Sequence, residues 1–153
     1  MRRACCLNLR ILYVGKSEPW VDKGIEKYTR RMPNLSLESI KEYPQHNCFR
    51  RMLKQAGSSF RVLLDSQGIE RTSEELAKAL LDWSQSHKYI TFLIGDDDGF
   101  TSENRKAADT VWSLSPLTFP YMLARLIVVE QLYRAKSIID GHPYHRLCQP
   151  HEP

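Results

Sequence analysis

Five short apolar runs alternate along this chain with stretches in which apolar residues return every three or four positions. The runs are Leu7 to Val14, Leu35 to Ile40, Phe60 to Asp65, Tyr89 to Ile94 and Val111 to Leu114. Runs of that length bounded by turn residues predict buried strands. Between the first two, Pro19 opens a helix with Val21, Ile25, Tyr28 and Met32 on one face, and Pro33 ends it. Phe49, Met52, Leu53 and Ala56 predict a short amphipathic helix with Arg50, Arg51 and Lys54 facing outward, closed by Gly57. Thr72 with Glu75 three positions later forms a capping box, and the helix behind it buries Leu76, Leu80 and Trp83. Ser102 is placed to cap a short helix through about Thr110. Ser66-Gln67-Gly68 reads as a turn, and Tyr43 to Asn47 as a loop. Strands alternating with helices predict an α/β fold, a mostly parallel sheet flanked by helices on both faces.

The pattern changes at the end. Pro120 suits a first helical turn, and from Met122 to Ile139 the chain is apolar around most of a helix's girth. Such a helix is buried on more than one side. Gly141 fits the left-handed position after its end, and Pro143 stops any continuation. The tail that follows gathers His142, Tyr144, His145 and Arg146 within five residues, where termini are usually bland.

Composition narrows the class. The 153 residues suffice for one domain, 1–153, with no linker, repeat or low-complexity stretch to divide it. Lysine and arginine number 22 against 18 acids, a net charge of +4 that permits an RNA partner without demanding one. Cys5, Cys6, Cys48 and Cys148 lack the C-x-x-C spacing of a zinc site. No secretory apolar region precedes them, and Met1-Arg2-Arg3 is too short to be a targeting segment, so reduced thiols and a cytoplasmic location are expected. No run reaches membrane-spanning length. Asp96, Asp97 and Asp98 suggest a metal loop, but position twelve counted from Asp96 is Ala107 where a calcium loop needs glutamate. No metal is expected.

Several segments carry a resemblance. Leu93-Ile94-Gly95, the loop from Leu114 to Phe119, the segment from Ala124 to Ala135 with its Leu-Tyr-Arg-Ala ending, and Gly141-His142-Pro143-Tyr144-His145-Arg146 resemble the RlmH family. These are large-subunit ribosomal RNA pseudouridine N3-methyltransferases of the SPOUT class. The likeness runs in order from about Leu7 to Arg146. It implies a C-terminal trefoil knot, S-adenosylmethionine as methyl donor, and a homodimer in which the tail of one chain completes the site of the other. It implies ribosomal RNA of the large subunit or assembled ribosome as substrate. It places the cofactor at Leu64, Gly95, Leu114, Ser115, Pro116, Leu117, Thr118 and Phe119. Independently of the likeness, ligands of parallel sheets bind at the C-terminal ends of strands, where Leu64-Asp65, Gly95 to Phe100 and Leu114 to Phe119 all lie.

Methyl transfer to an imide nitrogen needs a group that takes its proton. His142, Tyr144 and His145 are the candidates, and Arg146 is suited to offset negative charge or grip a phosphate. Two departures stand out. Where family members read Gly-Gly-Pro-x-Gly or Gly-Gly-Ala-x-Gly, this chain has Gly95-Asp96-Asp97-Asp98-Gly99, and Tyr121 stands where histidine is common. If the backbone there is left-handed, Asp96 tolerates it better than most residues but at more cost than glycine. The acidic loop also leaves open a non-catalytic RNA-binding relative that has lost the cofactor.

Overall fold

The computed structural model describes residues 6–41 and 48–146. Five strands, β1 (Leu9–Val14), β2 (Leu35–Ile40), β3 (Phe60–Glu70), β4 (Ile90–Ile94) and β5 (Thr110–Ser113), form one sheet in the order β2-β1-β4-β3-β5. Every pairing is parallel, from Leu9 opposite Leu35 at one edge to Leu63 opposite Val111 at the other. β4 lies in the middle with all five residues buried, which accounts for its unbroken apolar run.

Two apolar clusters cover the two faces. The larger joins Leu9, Ile11, Phe92 and Trp112 to Val21 and Ile25 of α1 (Pro19–Thr29), Leu76 and Leu80 of α3 (Ser73–Ser86), and Val128, Val129 and Leu132 of α5 (Tyr121–Asp140). α5 packs against both α1 and α3, so apolar residues around its girth find partners on two sides. The smaller cluster seats α2 (Cys48–Ala56) through Met52 and Ala56 against Leu12, Val14, Leu63 and Leu93. α4 (Ser102–Ala107) lies on that second face, flanked by the packed Phe100 and Ala108.

The predicted capping box of α3 is complete: Glu75 N–H donates to the Thr72 hydroxyl (3.1 Å) and Thr72 N–H to the Glu75 carboxylate (2.7 Å). Thr72→Ala is expected to lower stability by about 1 kcal/mol, read from denaturant unfolding.

Several boundaries differ from the sequence reading, each for a local reason. α4 is capped by Thr101, not Ser102, because Asn104 answers it three residues on. Pro120 is the N-cap of α5 rather than its first residue. α1 stops at Thr29, before Pro33, with Arg30 and Arg31 closing a last turn onto Glu26 and Tyr28. Residues 66–68 are not a simple turn. β3 bulges there and rejoins β5, so that Leu64 and Ile69 both sit opposite Trp112. Gly68 permits this, since a Cβ on it would lie 2.6 Å from the Val111 carbonyl carbon. The Tyr43–Asn47 loop, Met1-Arg2-Arg3, Cys5 and Cys148 lie outside the described residues. Cys6 and Cys48 form no disulfide.

Candidate active site

The C-terminal edge of the sheet opens into a cavity of about 530 Å³. Its walls come from the bulged stretch of β3 at Leu64 to Ser66, from the loops after β4 and β5, and from the first turn of α5. Of the eight positions assigned to a cofactor, seven line it: Leu64, Gly95, Leu114, Ser115, Leu117, Thr118 and Phe119. Pro116 is exposed beside them and is not part of the wall.

The loop at 114–119 is held in shape by its own polar groups. The buried Ser113 hydroxyl donates to the Ser115 carbonyl (3.1 Å), and Leu117 N–H donates to the Ser115 hydroxyl (3.1 Å). Leu117 is 67% exposed, an apolar side chain turned outward at the cavity rim. The opposite wall is tied down by Arg105, which the sequence reading passed over. Its guanidinium reaches the Asp65 carboxylate at 3.2 Å and the Phe100 carbonyl at 3.0 Å, linking β3 to the loop after β4. Nothing in the sequence spacing announces that contact, because Arg105 sits 40 residues from Asp65.

The acidic loop also lies at the cavity, with Asp96 and Asp97 in its wall. Asp96 does not take the left-handed backbone: no non-glycine among the described residues has positive φ, and Gly99 (φ 67°) takes the left-handed position instead. Asp96 fits an ordinary backbone and caps the turn, accepting from Asp98 N–H (3.0 Å) with its side chain and from Gly99 N–H (3.0 Å) with its carbonyl. Among the described residues no group of three histidine, cysteine or acidic side chains converges as a metal site.

Tyr121 lines the cavity too, its ring laid over Gly15, where a Cβ would come within 2.7 Å. Behind it Arg125 is 1% exposed, on a helix read as apolar. Its guanidinium stacks 3.6 Å from the centre of the Tyr13 ring and donates to the Ser17 hydroxyl at 3.2 Å. Burial pushes its pKa down, and the ring face replaces part of the lost hydration.

The four tail residues are elsewhere. Gly141 takes the left-handed C-cap (φ 71°) and His142 N–H donates to the Ser137 carbonyl (2.8 Å), turning the chain back along α5. The Tyr144 hydroxyl then donates to Glu130 (3.0 Å), while its ring meets Tyr133 edge-on at 4.7 Å and lies 4.9 Å from the Arg134 guanidinium. His145 bridges Arg134 (3.2 Å) and Glu74 of α3 (2.8 Å), and this contact holds the Glu74 carboxyl below its usual range. His142 and Arg146 are exposed. Burial, reinforced by hydrogen bonds to Tyr28 and Glu130, pushes the Tyr144 phenol well above its usual value, so it keeps its proton at neutral pH. Glu130 and Arg134 form the ion pair that supports all this (2.7 Å), at a helical i, i+4 spacing visible in the sequence.

The cavity therefore meets the start of α5 at Tyr121 and Ala124, while the tail docks at Glu130 and Arg134. At about 1.5 Å of rise per residue, roughly 15 Å of helix separates Ala124 from Arg134. One chain does not bring its own tail to its own cavity.

This fold and cavity define a class. Residues 7–145 match the family described as Predicted SPOUT methyltransferase, and the chain belongs to it. Within the class it is similar to proteins named Ribosomal RNA large subunit methyltransferase H. It is 41% identical over 140 residues to that of Prochlorococcus marinus, spanning 91% of this chain and 96% of the relative. It is 38% identical over 154 residues to that of Methylobacillus flagellatus, spanning 92% and 99%. Among solved structures, a probable methyltransferase from Bordetella pertussis Tohama I superposes with a TM-score of 0.61 at 10% identity, over 86% of this chain and 96% of that one. A tRNA (m1G37) methyltransferase from Aquifex aeolicus superposes with a TM-score of 0.56 at 15% identity, over 95% and 78%. These two share the fold. No helix among the described residues is long and apolar enough to cross a membrane.

Proposed function

We propose that this protein methylates N3 of a pseudouridine in 23S ribosomal RNA of the large subunit or assembled ribosome, using S-adenosylmethionine, as a cytoplasmic homodimer. The observation that carries the reading is the convergence of seven of the eight expected cofactor positions on one cavity. Its 530 Å³ falls within the range of small-molecule sites. Its apolar wall at Leu64, Leu114, Leu117 and Phe119 suits an adenine, and the carboxylates of Asp96 and Asp97 suit a cation. S-adenosylmethionine offers both, and its sulfonium supplies an activated methyl group. The trefoil knot that the resemblance implies belongs to the same reading.

As the new carbon–nitrogen bond forms and the carbon–sulfur bond breaks, the N3 proton must leave. Tyr144 holds its own proton at neutral pH and acts as a hydrogen-bond donor, not a base. The proton goes to an imidazole of the tail, the exposed His142, because Arg134 and Glu74 occupy both ring nitrogens of His145. Arg146, exposed at the end of the described chain, offsets the charge on the imide or a neighbouring phosphate.

A second chain brings these groups to the cavity. Beside the cavity, Met122, Leu123, Leu126 and Ile127 of α5 are only partly covered, and Trp20 is 54% exposed on α1. An apolar surface of this kind fits a second copy. Sedimentation is expected to give a dimer; a monomer of 17.8 kDa at micromolar concentration contradicts the composite site. Calorimetry is expected to show one S-adenosylmethionine per cavity. Asp96→Gly removes a carboxylate from the wall and loosens its turn, and is expected to weaken that binding about three- to fivefold. An unchanged dissociation constant would place the loop outside the cofactor's reach.

A further inference from the structure

The charge of the helices is divided between the two faces of the sheet. α2 carries Arg50, Arg51 and Lys54 and no acid, and α4 carries Arg105 and Lys106 against Glu103. Together these two helices hold a surplus of four positive charges. On the other face α1 is balanced, α3 has two more acids than bases and α5 one more base than acids, a net charge of −1. The whole excess of +4 is thus matched by the helices of one side.

The fold turns these cations outward. Met52 and Ala56 are buried under α2, with Phe49 and Leu53 packed beside them, so the helix can rotate no other face to the sheet. Arg50, Lys54 and Lys106 are left exposed. Arg105 is occupied by Asp65. The surface adjoins the cavity, because Cys48 and Phe49 at the start of α2 share a small cleft with Gly95, Asp96 and Phe100, and the last three also line the main cavity. The tail, by contrast, docks against the opposite face, between α5 and the acidic start of α3.

We infer that Arg50, Lys54 and Lys106 form a docking surface for the sugar-phosphate backbone of ribosomal RNA, contacting it across the sheet from the tail. The inference rests on the proposed action on ribosomal RNA. Phosphate contacts fix the position of an RNA without reading its sequence, and each one releases counterions. The surface therefore anchors the RNA backbone beside the cavity, and the groups of the composite site select the nucleotide.

The test compares Arg50→Gln/Lys54→Gln/Lys106→Gln with Lys23→Gln/Lys78→Gln, which removes two exposed lysines from the opposite face. Each is titrated with purified large subunits and with assembled ribosomes over a range of salt at fixed magnesium, and with S-adenosylmethionine by calorimetry. The triple variant is expected to bind RNA at least tenfold more weakly near 150 mM salt, with a salt slope shallower by about 2 to 3. Its cofactor affinity is expected to be unchanged, and the double variant is expected to match the unsubstituted protein in both assays. Arg50→Gln and Lys54→Gln alone are each expected to flatten the slope by about 1, which serves if the triple variant folds poorly. An unchanged slope and affinity in these variants would overturn the surface, as would an equal loss in the double variant. Failure of the unsubstituted protein to bind the subunits or ribosomes at all would sink the proposed substrate along with the surface, so the two failures are distinguishable.

Discussion

Cutting the chain after Gly141 is expected to lower methyl transfer by two orders of magnitude or more while leaving S-adenosylmethionine bound. The cavity draws its walls from residues no later than Ala124, so the cut removes none of them. It removes every imidazole and guanidinium that can serve the N3 proton and the charge it leaves behind, together with the positioning they give. Some stability goes as well, because Tyr144 packs on Tyr133 and donates to Glu130, and His145 bridges Arg134 to Glu74. Loss of a packed aromatic and its hydrogen bonds costs about 2 to 4 kcal/mol. The exposed pair His142→Ala and Arg146→Ala avoids that loss and is expected to reduce transfer while leaving the melting temperature nearly unchanged. Calorimetry and transfer to ribosomes, run on the same preparations, check both halves. A truncated chain that transfers methyl groups at the normal rate would contradict the role of the tail.

Filling the cavity is expected to do the reverse. Gly95 has no positive φ, so its backbone accepts a side chain, but a Cβ there meets the Phe100 ring at 3.3 Å. Gly95 is part of the cavity wall, so Gly95→Leu takes up room there beside Phe100. The affinity for S-adenosylmethionine is expected to fall about a hundredfold, the scale of a lost buried contact of ~3 kcal/mol. RNA binding is expected to stay within a few-fold, because neither the tail nor the α2 surface is altered. A variant with normal cofactor affinity would place the cofactor elsewhere.

Much of this architecture can be read from the order of residues. The run from Ile90 to Ile94 predicts a central strand because a strand covered on both faces has no reason to alternate. Thr72 and Glu75 predict the start of α3 because capping is local chemistry. Where two candidate caps adjoin, as at Thr101 and Ser102, the deciding partner three residues on was overlooked. Seven of eight cofactor positions converge, but through the family likeness and the rule for strand ends, not through any signal in their own side chains. Contacts between residues distant in sequence were not legible: Arg105 with Asp65, His145 with Glu74, or Arg125 buried over Tyr13. The acidic loop was not legible for a physical reason. Its composition leaves open which residue takes the left-handed backbone, while the turn assigns it to Gly99 and leaves Asp96 as a capping side chain.

The separation of tail and cavity along α5 also explains why the site cannot be read as a list of neighbours within one chain. Of the exposed tail residues, His142 accepts from Tyr144 N–H at 3.3 Å, and Arg146 stands at the end of the described chain. In the proposed dimer, a second copy presents these groups to the other cavity.

The most direct measurement is methyl transfer from isotopically labelled S-adenosylmethionine to ribosomes that lack the modification, followed by nucleoside mass spectrometry of the 23S RNA. One label per large subunit, recovered as 3-methylpseudouridine, is the predicted result. Label absent from the RNA although the protein binds both cofactor and ribosome, or label recovered on a different nucleoside, would contradict it.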